Sequence, residues 1–173
     1  MNNNVTDLLN TNHVKLLFSI FEKNSADIRL VGGCIRDKLM HREVKDIDTA
    51  TKIEPKEVLN LLENNNIEYD DFAIQYGSII SYPLNKKIQI TTLREDVNQL
   101  GRHTNVIYTT DWKKDAARRD FTFNALYLGG NNKLYDYYDG QSHLREKKIK
   151  FIGEIEDRIK EDYLRIYRYF RFL

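Results

Sequence analysis

The 173-residue sequence is poor in residues that cross-link or interrupt a chain. Its single cysteine, Cys34, excludes an internal disulfide and favours a reducing compartment. It has only two prolines, and no tract rich in Gly, Ser or Pro marks a linker. No stretch approaches the roughly 18 apolar residues of a membrane-spanning helix, and the first residues lack a signal-peptide pattern. These absences predict a soluble, cytoplasmic protein without a membrane partner.

Charge is abundant but unevenly distributed. Charged residues make up 31% of the chain and hydrophobic residues 41%, which is typical of a globular domain. Residues 1–100 carry 12 Lys/Arg and 15 Asp/Glu, a balance of −3, whereas residues 101–173 carry 15 and 11, a balance of +4. The first half suits cations and the second half suits phosphates, although a solvated charged surface explains the same counts.

The spacing of apolar residues predicts an α+β fold with a β-hairpin at its centre. Predicted strands cover residues 27–31, 46–50, 78–83, 87–93, 106–108 and 121–128. Predicted helices cover residues 14–21, 34–40, 54–62 and 111–117, and most of the chain after residue 132. The polar segment 94–105 is predicted to be a mobile loop.

The last predicted helix has the clearest period. Ile159, Tyr163, Ile166, Phe170 and Leu173 recur at a spacing of 4, 3, 4 and 3 residues, which predicts one helix with a buried apolar stripe. No stop signal follows, so the sequence is expected to end within this helix.

Asp46 and Asp48 form the first candidate site. Alternate residues of a strand point to the same face, so both carboxylates are expected to converge. Two neighbouring like charges repel unless a cation neutralises them, and carboxylate oxygens suit Mg²⁺. Two-metal sites use such ligands to stabilise an in-line displacement. Surface carboxylates on an exposed strand remain the alternative.

Gly32 and Gly33 lie between a predicted strand and a predicted helix that carries Arg36. Paired glycines let backbone amides approach a phosphate, and the helix start adds positive potential. Arg36 is placed to bind phosphate oxygens in a bidentate manner. The alternative is an ordinary glycine turn in which Arg36 pairs with Asp37.

Two further motifs lie in the basic half. In Arg118-Arg119-Asp120-Phe-Thr-Phe-Asn124 the arginines suit a triphosphate and Asp120 suits a ribose hydroxyl, or the arginines simply end a helix. The final motif has one acidic residue and three arginines at helical spacing, namely Asp162, Arg165, Arg168 and Arg171.

Asp162 and Arg165 are predicted to pair at i,i+3 on a helix. Together they offer an acceptor and a fork of donors, which can read a nucleobase edge. A surface ion pair is the alternative. On a helical wheel Arg171 points far from Asp162, so it is expected to reach a phosphate or RNA instead.

From about Leu30 to Leu173 these motifs, in this order, resemble the tRNA nucleotidyltransferase and bacterial poly(A) polymerase family of the polymerase-β-like superfamily. The matching segments are LVGGCIRDKL, DIDTAT, TTLREDV, GRH, TTDWKKDAARRDFTFNAL, YDYYDGQSHL and FIGEIEDRIKEDYLRIYRYFRF. The last segments are most similar to the mitochondrial and α-proteobacterial type of CCA-adding enzyme.

The resemblance implies a nucleotidyltransferase head, residues 1–138, with a small mixed or antiparallel sheet and flanking helices. It implies that residues 139–173 begin a helical neck. It also implies transfer of CMP and AMP from CTP and ATP to the tRNA 3′ end, with Mg²⁺ on Asp46 and Asp48. A third carboxylate is open, with Asp96 and Asp115 as candidates.

The resemblance also implies roles for the other motif residues. Those expected to bind the nucleotide are Gly32, Gly33, Arg36, Arg119, Asp120, Asn124, Asp162, Arg165, Arg168 and Arg171. Within this set Asp162 and Arg165 would read the base. Family members continue through more neck, body and tail, so an excised fragment or a split gene product is expected. The alternatives are a poly(A) polymerase and a nucleotide-binding remnant that needs a second polypeptide or self-association.

Overall fold

The computed structural model describes residues 5–100 and 103–173. The strands are β1 (Ile28–Val31), β2 (Ile47–Thr51), β3 (Tyr69–Asp70), β4 (Ser78–Ser81), β5 (Ile88–Thr92), β6 (Arg94–Leu100), β7 (His103–Tyr108), β8 (Leu126–Gly129) and β9 (Leu134–Asp136). The helices are α1 (Asn12–Lys23), α2 (Gly33–Leu39), α3 (Pro55–Asn64), α4 (Trp112–Ala117), α5 (Gly140–Arg145), α6 (Ile155–Glu161) and α7 (Leu164–Phe172).

Across the described residues, seven strands form one mixed sheet in the order β3-β4-β5-β2-β1-β8-β9. Strands β2 and β5 are parallel, and the other neighbouring pairs are antiparallel. The predicted central hairpin is confirmed as β4–β5. The predicted α+β class, a small mixed sheet with flanking helices, is confirmed as well.

The sheet has a hydrophobic cluster on each face. Successive residues of a strand point to opposite faces, so Leu30 packs in one cluster and Val31 in the other. The first cluster is covered by α1, α2 and α3, and the second by α4 through Trp112. Strand β2 therefore lies at the centre of a core that is buried on both sides, which fixes the position of its first residues.

The segment predicted to be a loop instead forms strands β6 and β7, so that prediction is wrong. Arg94 pairs with Tyr108 and Glu95 with Ile107 in an antiparallel ladder. Strands β6 and β7 form a separate two-stranded sheet, and its residue Ile107 is 56% exposed. Because residues 94–105 are mostly polar, the sequence has little apolar alternation that would predict strands there.

The prediction of a single C-terminal helix with a buried apolar stripe is also wrong. Asp162 has an extended backbone (φ −154°, ψ 102°) that separates α6 from α7, and its carboxylate accepts a hydrogen bond from the amide of Leu164 (3.0 Å). Asp is a favoured N-cap, so this side chain starts a new helix. The stripe residues Tyr163 and Phe170 are exposed.

A different face of α7 packs inward. Arg165 is buried, and Tyr169 and Phe172 pack against a third cluster that contains Phe121 and Phe151. Phe172 meets the Phe121 ring edge to face at 5.7 Å between centroids. The predicted helical period is therefore confirmed, whereas the predicted buried face is wrong.

Two smaller expectations also differ. The run 121–128 begins with a 3₁₀ turn, Thr122–Asn124, and becomes a strand only at Leu126. The stretch after residue 132 includes β9, which pairs with β8. No helix in the described part of the chain is long and apolar enough to cross a membrane. The division into residues 1–138 and 139–173 stays a prediction.

Candidate active site

A cleft of about 710 Å³ gathers motif residues from both halves of the chain. Ten of the twelve predicted site residues line it, namely Gly32, Gly33, Arg36, Asp48, Arg119, Asp120, Asn124, Asp162, Arg165 and Arg168. The other two, Asp46 and Arg171, line an adjoining cavity of about 430 Å³ that Asp48 also reaches. The fold thus brings the four motifs to one place, with Asp48 between two cavities.

The two aspartates differ in their surroundings. Asp46 precedes β2 and is exposed, whereas Asp48 lies within β2 and is half-buried. Burial is the main cause that raises the pKa of Asp48 above its usual value; the charge of Asp46 adds to it, and Arg119 and Lys87 oppose it. Within the protein alone, the negative charge of an ionised Asp48 is therefore not fully compensated by positive charge.

This donor set fits a hard divalent cation. Among the described residues, no group of three or more His, Cys, Asp or Glu side chains is arranged to hold a metal ion. Mg²⁺ commonly binds to one or two carboxylates and fills its other positions with water and substrate phosphates. Asp46 and Asp48 beside a cleft lined with arginines match that pattern.

The glycine turn holds two arginine-bearing segments close to the backbone. Gly32 has φ +73° and precedes α2, and a Cβ added there would lie 3.4 Å from the carbonyl oxygen of Asn124 and 3.5 Å from Nη1 of Arg119. These distances are ordinary van der Waals contacts, so it is the positive φ that only glycine adopts readily. Arg36 donates to Asp37 through Nε and Nη2 (2.8 Å each), as the ordinary alternative expected, and also lines the cleft.

Asp115 is the buried anchor of the arginine pair. Its side chain is 1% exposed and accepts hydrogen bonds from Arg118 Nε (2.9 Å), Arg119 Nη2 (3.1 Å) and the Tyr127 hydroxyl (2.7 Å). Burial alone would raise the pKa of Asp115, but these three groups outweigh it and hold the pKa well below its usual range. Both oxygens of Asp115 accept hydrogen bonds within the protein, and Asp115 lines neither cavity, which argues against it as a third metal ligand. The side chain of Asp96 lies outside the described residues.

A line of hydrogen bonds and ion pairs runs along the cleft from α2 to α7. Arg36 Nη1 donates to Asn124 Oδ1 (2.8 Å), and Asn124 Nδ2 donates to Asp120 Oδ1 (2.9 Å). Arg168 then pairs with Asp120 through Nε (3.1 Å) and donates to Asp162 through Nη2 (2.6 Å). The line therefore connects the phosphate-side arginine with the carboxylate expected to face the base.

The predicted pairing of Asp162 with Arg165 is wrong. Because the chain breaks at Asp162, its carboxylate meets Arg168, and Arg165 Nη1 meets Glu161 (2.5 Å) and the carbonyl oxygen of Arg158 (2.7 Å). Arg165 Nη2 donates to the carbonyl oxygen of Arg118 (3.3 Å), and its Nε is buried without a partner among the described residues. Of its five N–H groups, two remain for another acceptor.

The sequence did not reveal several cleft residues. Phe72 and Tyr76 are exposed aromatic side chains on the wall, within a polar segment that has no motif. Gln89 lines the cleft because it lies opposite Asp48 in the parallel β2–β5 pair, a register that only the folded sheet defines. Exposed aromatic residues in a polar stretch were the one available signal.

This chain is similar to several known proteins. Residues 28–150 match the family described as the Poly A polymerase head domain. The mitochondrial CCA tRNA nucleotidyltransferase 1 of Homo sapiens is 41% identical over 163 residues, which are 94% of this chain and 38% of the relative. The CCA-adding enzyme of Staphylococcus haemolyticus is 33% identical over 163 residues, 93% of this chain and 40% of the relative.

Solved structures agree with the sequence relatives. The CCA-adding enzyme of Bacillus stearothermophilus in complex with CTP superimposes with a TM-score of 0.83 at 28% identity, covering 92% of this chain and 38% of that one. A tRNA nucleotidyltransferase complexed with a primer tRNA and an ATP analog gives a TM-score of 0.73 at 26% identity, covering 90% and 44%. The chain spans less than half the length of these relatives, and it belongs to the poly(A) polymerase head-domain family.

Proposed function

We propose that this chain carries the chemistry of CCA addition, the transfer of CMP and AMP from CTP and ATP to the 3′ end of tRNA. The observation that supports it best is the single cleft that joins Asp48, the arginines Arg36 and Arg119, and the α7 residues Asp162 and Arg168. Relatives named CCA tRNA nucleotidyltransferase and CCA-adding enzyme match more than 90% of this chain.

Asp46 and Asp48 are the proposed holders of Mg²⁺. When bound, Mg²⁺ supplies compensation for the charge that develops on the phosphate oxygens. The two carboxylates differ in exposure, so the half-buried Asp48 fixes the site beside the cleft while the exposed Asp46 faces the adjoining cavity.

Arg36 and Arg119 are the proposed phosphate ligands. Both guanidinium groups line the cleft, and Asp115 and Tyr127 hold Arg119 in one orientation. The RNA 3′-hydroxyl oxygen loses its proton to solvent and forms a bond to the α-phosphorus, the bond to the bridging oxygen breaks, and pyrophosphate leaves. Fixed arginines stabilise the added charge without reorganising, which lowers the barrier.

Base choice is proposed to depend on Asp162 with Arg165 and Arg168. Cytosine and adenine both present an amino donor beside a ring-nitrogen acceptor, so one carboxylate acceptor and one guanidinium donor suit both. Uracil and guanine present a carbonyl in place of the amino group. Both carboxylate oxygens of Asp162 already accept a hydrogen bond, one from Arg168 and one from the amide of Leu164. The base must therefore compete with Arg168 for this carboxylate.

Two alternatives remain. The family also takes its name from poly(A) polymerase, so addition of AMP alone to RNA is the second candidate. Because the chain covers 38–40% of the curated relatives named above, a form that acts only with a second polypeptide is the third. A cytoplasmic location is part of the proposal and rests on composition alone.

One experiment separates these functions. The chain is incubated with tRNA that lacks CCA, with CTP, ATP and Mg²⁺, and the RNA 3′ ends are sequenced. Ordered addition of C, C and A supports the proposal. Long A-only tails on unrelated RNA support the poly(A) alternative, and no addition without a second polypeptide supports the third.

A further inference from the structure

Asp48 is reached from two sides. The cleft described above lies on one side, and the 430 Å³ cavity lined by Asp46, Arg42, Lys45 and Arg171 lies on the other. The two cavities share Gly33 and Arg36 as well as Asp48. We name the second cavity, which Arg42, Lys45 and Arg171 line in addition to the shared Arg36, the basic groove.

The chemistry requires two approaches. In an in-line displacement the attacking and leaving oxygens lie on opposite sides of the phosphorus. A nucleotide whose phosphates lie between Arg36 and Arg119 fills the first cleft, so the attacking hydroxyl has to enter from another direction. We propose that the basic groove holds the 3′-terminal nucleotides of the acceptor RNA and that Arg42, Lys45 and Arg171 bind their phosphates.

This inference rests on the proposed function, and the charge of the groove favours it. Arg42, Lys45 and Arg171 are all exposed, and among the described residues Arg42 and Lys45 have no ion-pair partner. Glu43 also lines the groove, and Asp37 is already paired with Arg36. Apart from the two candidate metal ligands, the groove therefore has a surplus of positive charge, which suits a phosphodiester backbone.

The basic surface continues beyond the groove. Arg42 and Arg36 also line a neighbouring cavity of about 340 Å³, whose other lining residues include Lys147 and Lys148. Lys148 pairs with Glu146 at 2.6 Å, whereas Lys147 is exposed. An RNA strand with its 3′ end at Asp48 can therefore continue along lysine and arginine side chains away from the nucleotide cleft.

The test compares the double variant Arg42→Ala/Lys45→Ala with the control Lys23→Ala/Lys56→Ala. The control removes two exposed lysines, on α1 and α3, that line none of these three cavities. Binding of acceptor-stem RNA that lacks CCA is measured at several salt concentrations, and binding of CTP is measured alongside. Thermal unfolding confirms that both proteins are folded.

We expect the Arg42/Lys45 variant to bind RNA at least tenfold more weakly. The slope of log K against log[salt] should become shallower by about 1.4, because each lost contact to a single strand contributes about 0.7. CTP affinity stays within twofold, and the control matches the unchanged chain.

RNA affinity and salt slope equal to those of the control overturn the inference, as does an unchanged chain that binds no RNA. The proposed function fails separately. If RNA binds through the groove but neither C nor A is added, with or without a second polypeptide, the inference about the groove is retained and the proposed function is refuted.

Discussion

Replacing Asp115 by Asn tests whether a buried carboxylate positions the phosphate-binding arginine. The change keeps the size of the side chain and removes its charge. Arg118 and Arg119, whose side chains are 16% and 18% exposed, would lose their shared counter-ion. Tyr127 would still find an oxygen acceptor at this position, so the principal loss is electrostatic.

The expected loss of stability is large. Removing one partner of a buried ion pair costs about 3–5 kcal/mol, and the retained amide hydrogen bonds favour the lower value, about 3 kcal/mol. For a chain of this size each kcal/mol lowers Tm by about 2–4 °C, so Tm should fall by about 6–12 °C.

The same variant should weaken nucleotide binding in a selective way. An arginine–phosphate hydrogen bond contributes about 1.5 kcal/mol or more, so loosening Arg119 should weaken CTP binding about tenfold. CMP has one phosphate where CTP has three, so its affinity should fall less than that of CTP. Calorimetric titration of both nucleotides in the presence of Mg²⁺ gives the two affinities.

Asp111→Asn is the matched control on the same helix. Asp111 is exposed and caps α4 by accepting a hydrogen bond from the amide of Lys113 (2.8 Å), and Asn caps equally well. An Asp115→Asn protein that binds CTP as tightly as this control, or that loses CTP and CMP affinity equally, would refute the positioning role.

Other expected outcomes follow from the same contacts. The unchanged chain should be more stable than Asp115→Asn by the full amount at pH 7, and this difference should shrink as pH falls below about 4. The reason is that the folded-state pKa of Asp115 lies below its unfolded value of about 3.9. Urea unfolding across pH measures the difference in stability. Asp48→Ala should abolish nucleotide transfer and leave Tm within a few degrees, since burial already opposes its ionised form; retained transfer contradicts the metal role. Arg165→Ala should relax the choice among CTP, ATP, UTP and GTP in single-nucleotide assays, and unchanged selectivity contradicts its role at the base. Arg168→Ala should loosen Asp162 and raise KM for CTP and ATP, whereas Arg145→Ala on α5 should not.

Local signals predicted much of the head. The strand β1, the glycine turn, α2 and the strand that carries Asp48 follow one another within 24 residues, and together they favour a phosphate and metal site over an ordinary turn with surface carboxylates. The central hairpin β4–β5 was predicted because both of its strands have a buried face. In each case the signal lies in consecutive residues.

The errors have a different origin. The buried face of α7 depends on the break at Asp162, where the carboxylate accepts from the amide of Leu164 and Arg168 pairs with both Asp162 and Asp120. Likewise, Asp115 was a candidate metal ligand because the sequence does not show that Tyr127 binds the same carboxylate as the two arginines that follow it by three and four residues. In both cases the contact that the sequence does not show comes from a residue distant along the chain.

The arginines of the cleft share one property that governs how it accepts a ligand. Each of four has a carboxylate partner within the protein, in the pairs Arg36–Asp37, Arg119–Asp115, Arg165–Glu161 and Arg168–Asp162. Their positive charge is thus largely balanced before a nucleotide arrives. A bare triphosphate would bring several uncompensated negative charges, whereas a nucleotide that arrives with divalent cations brings its own compensation. We therefore expect the cleft to discriminate between these two forms, so that nucleotide affinity tracks the concentration of the metal–nucleotide complex.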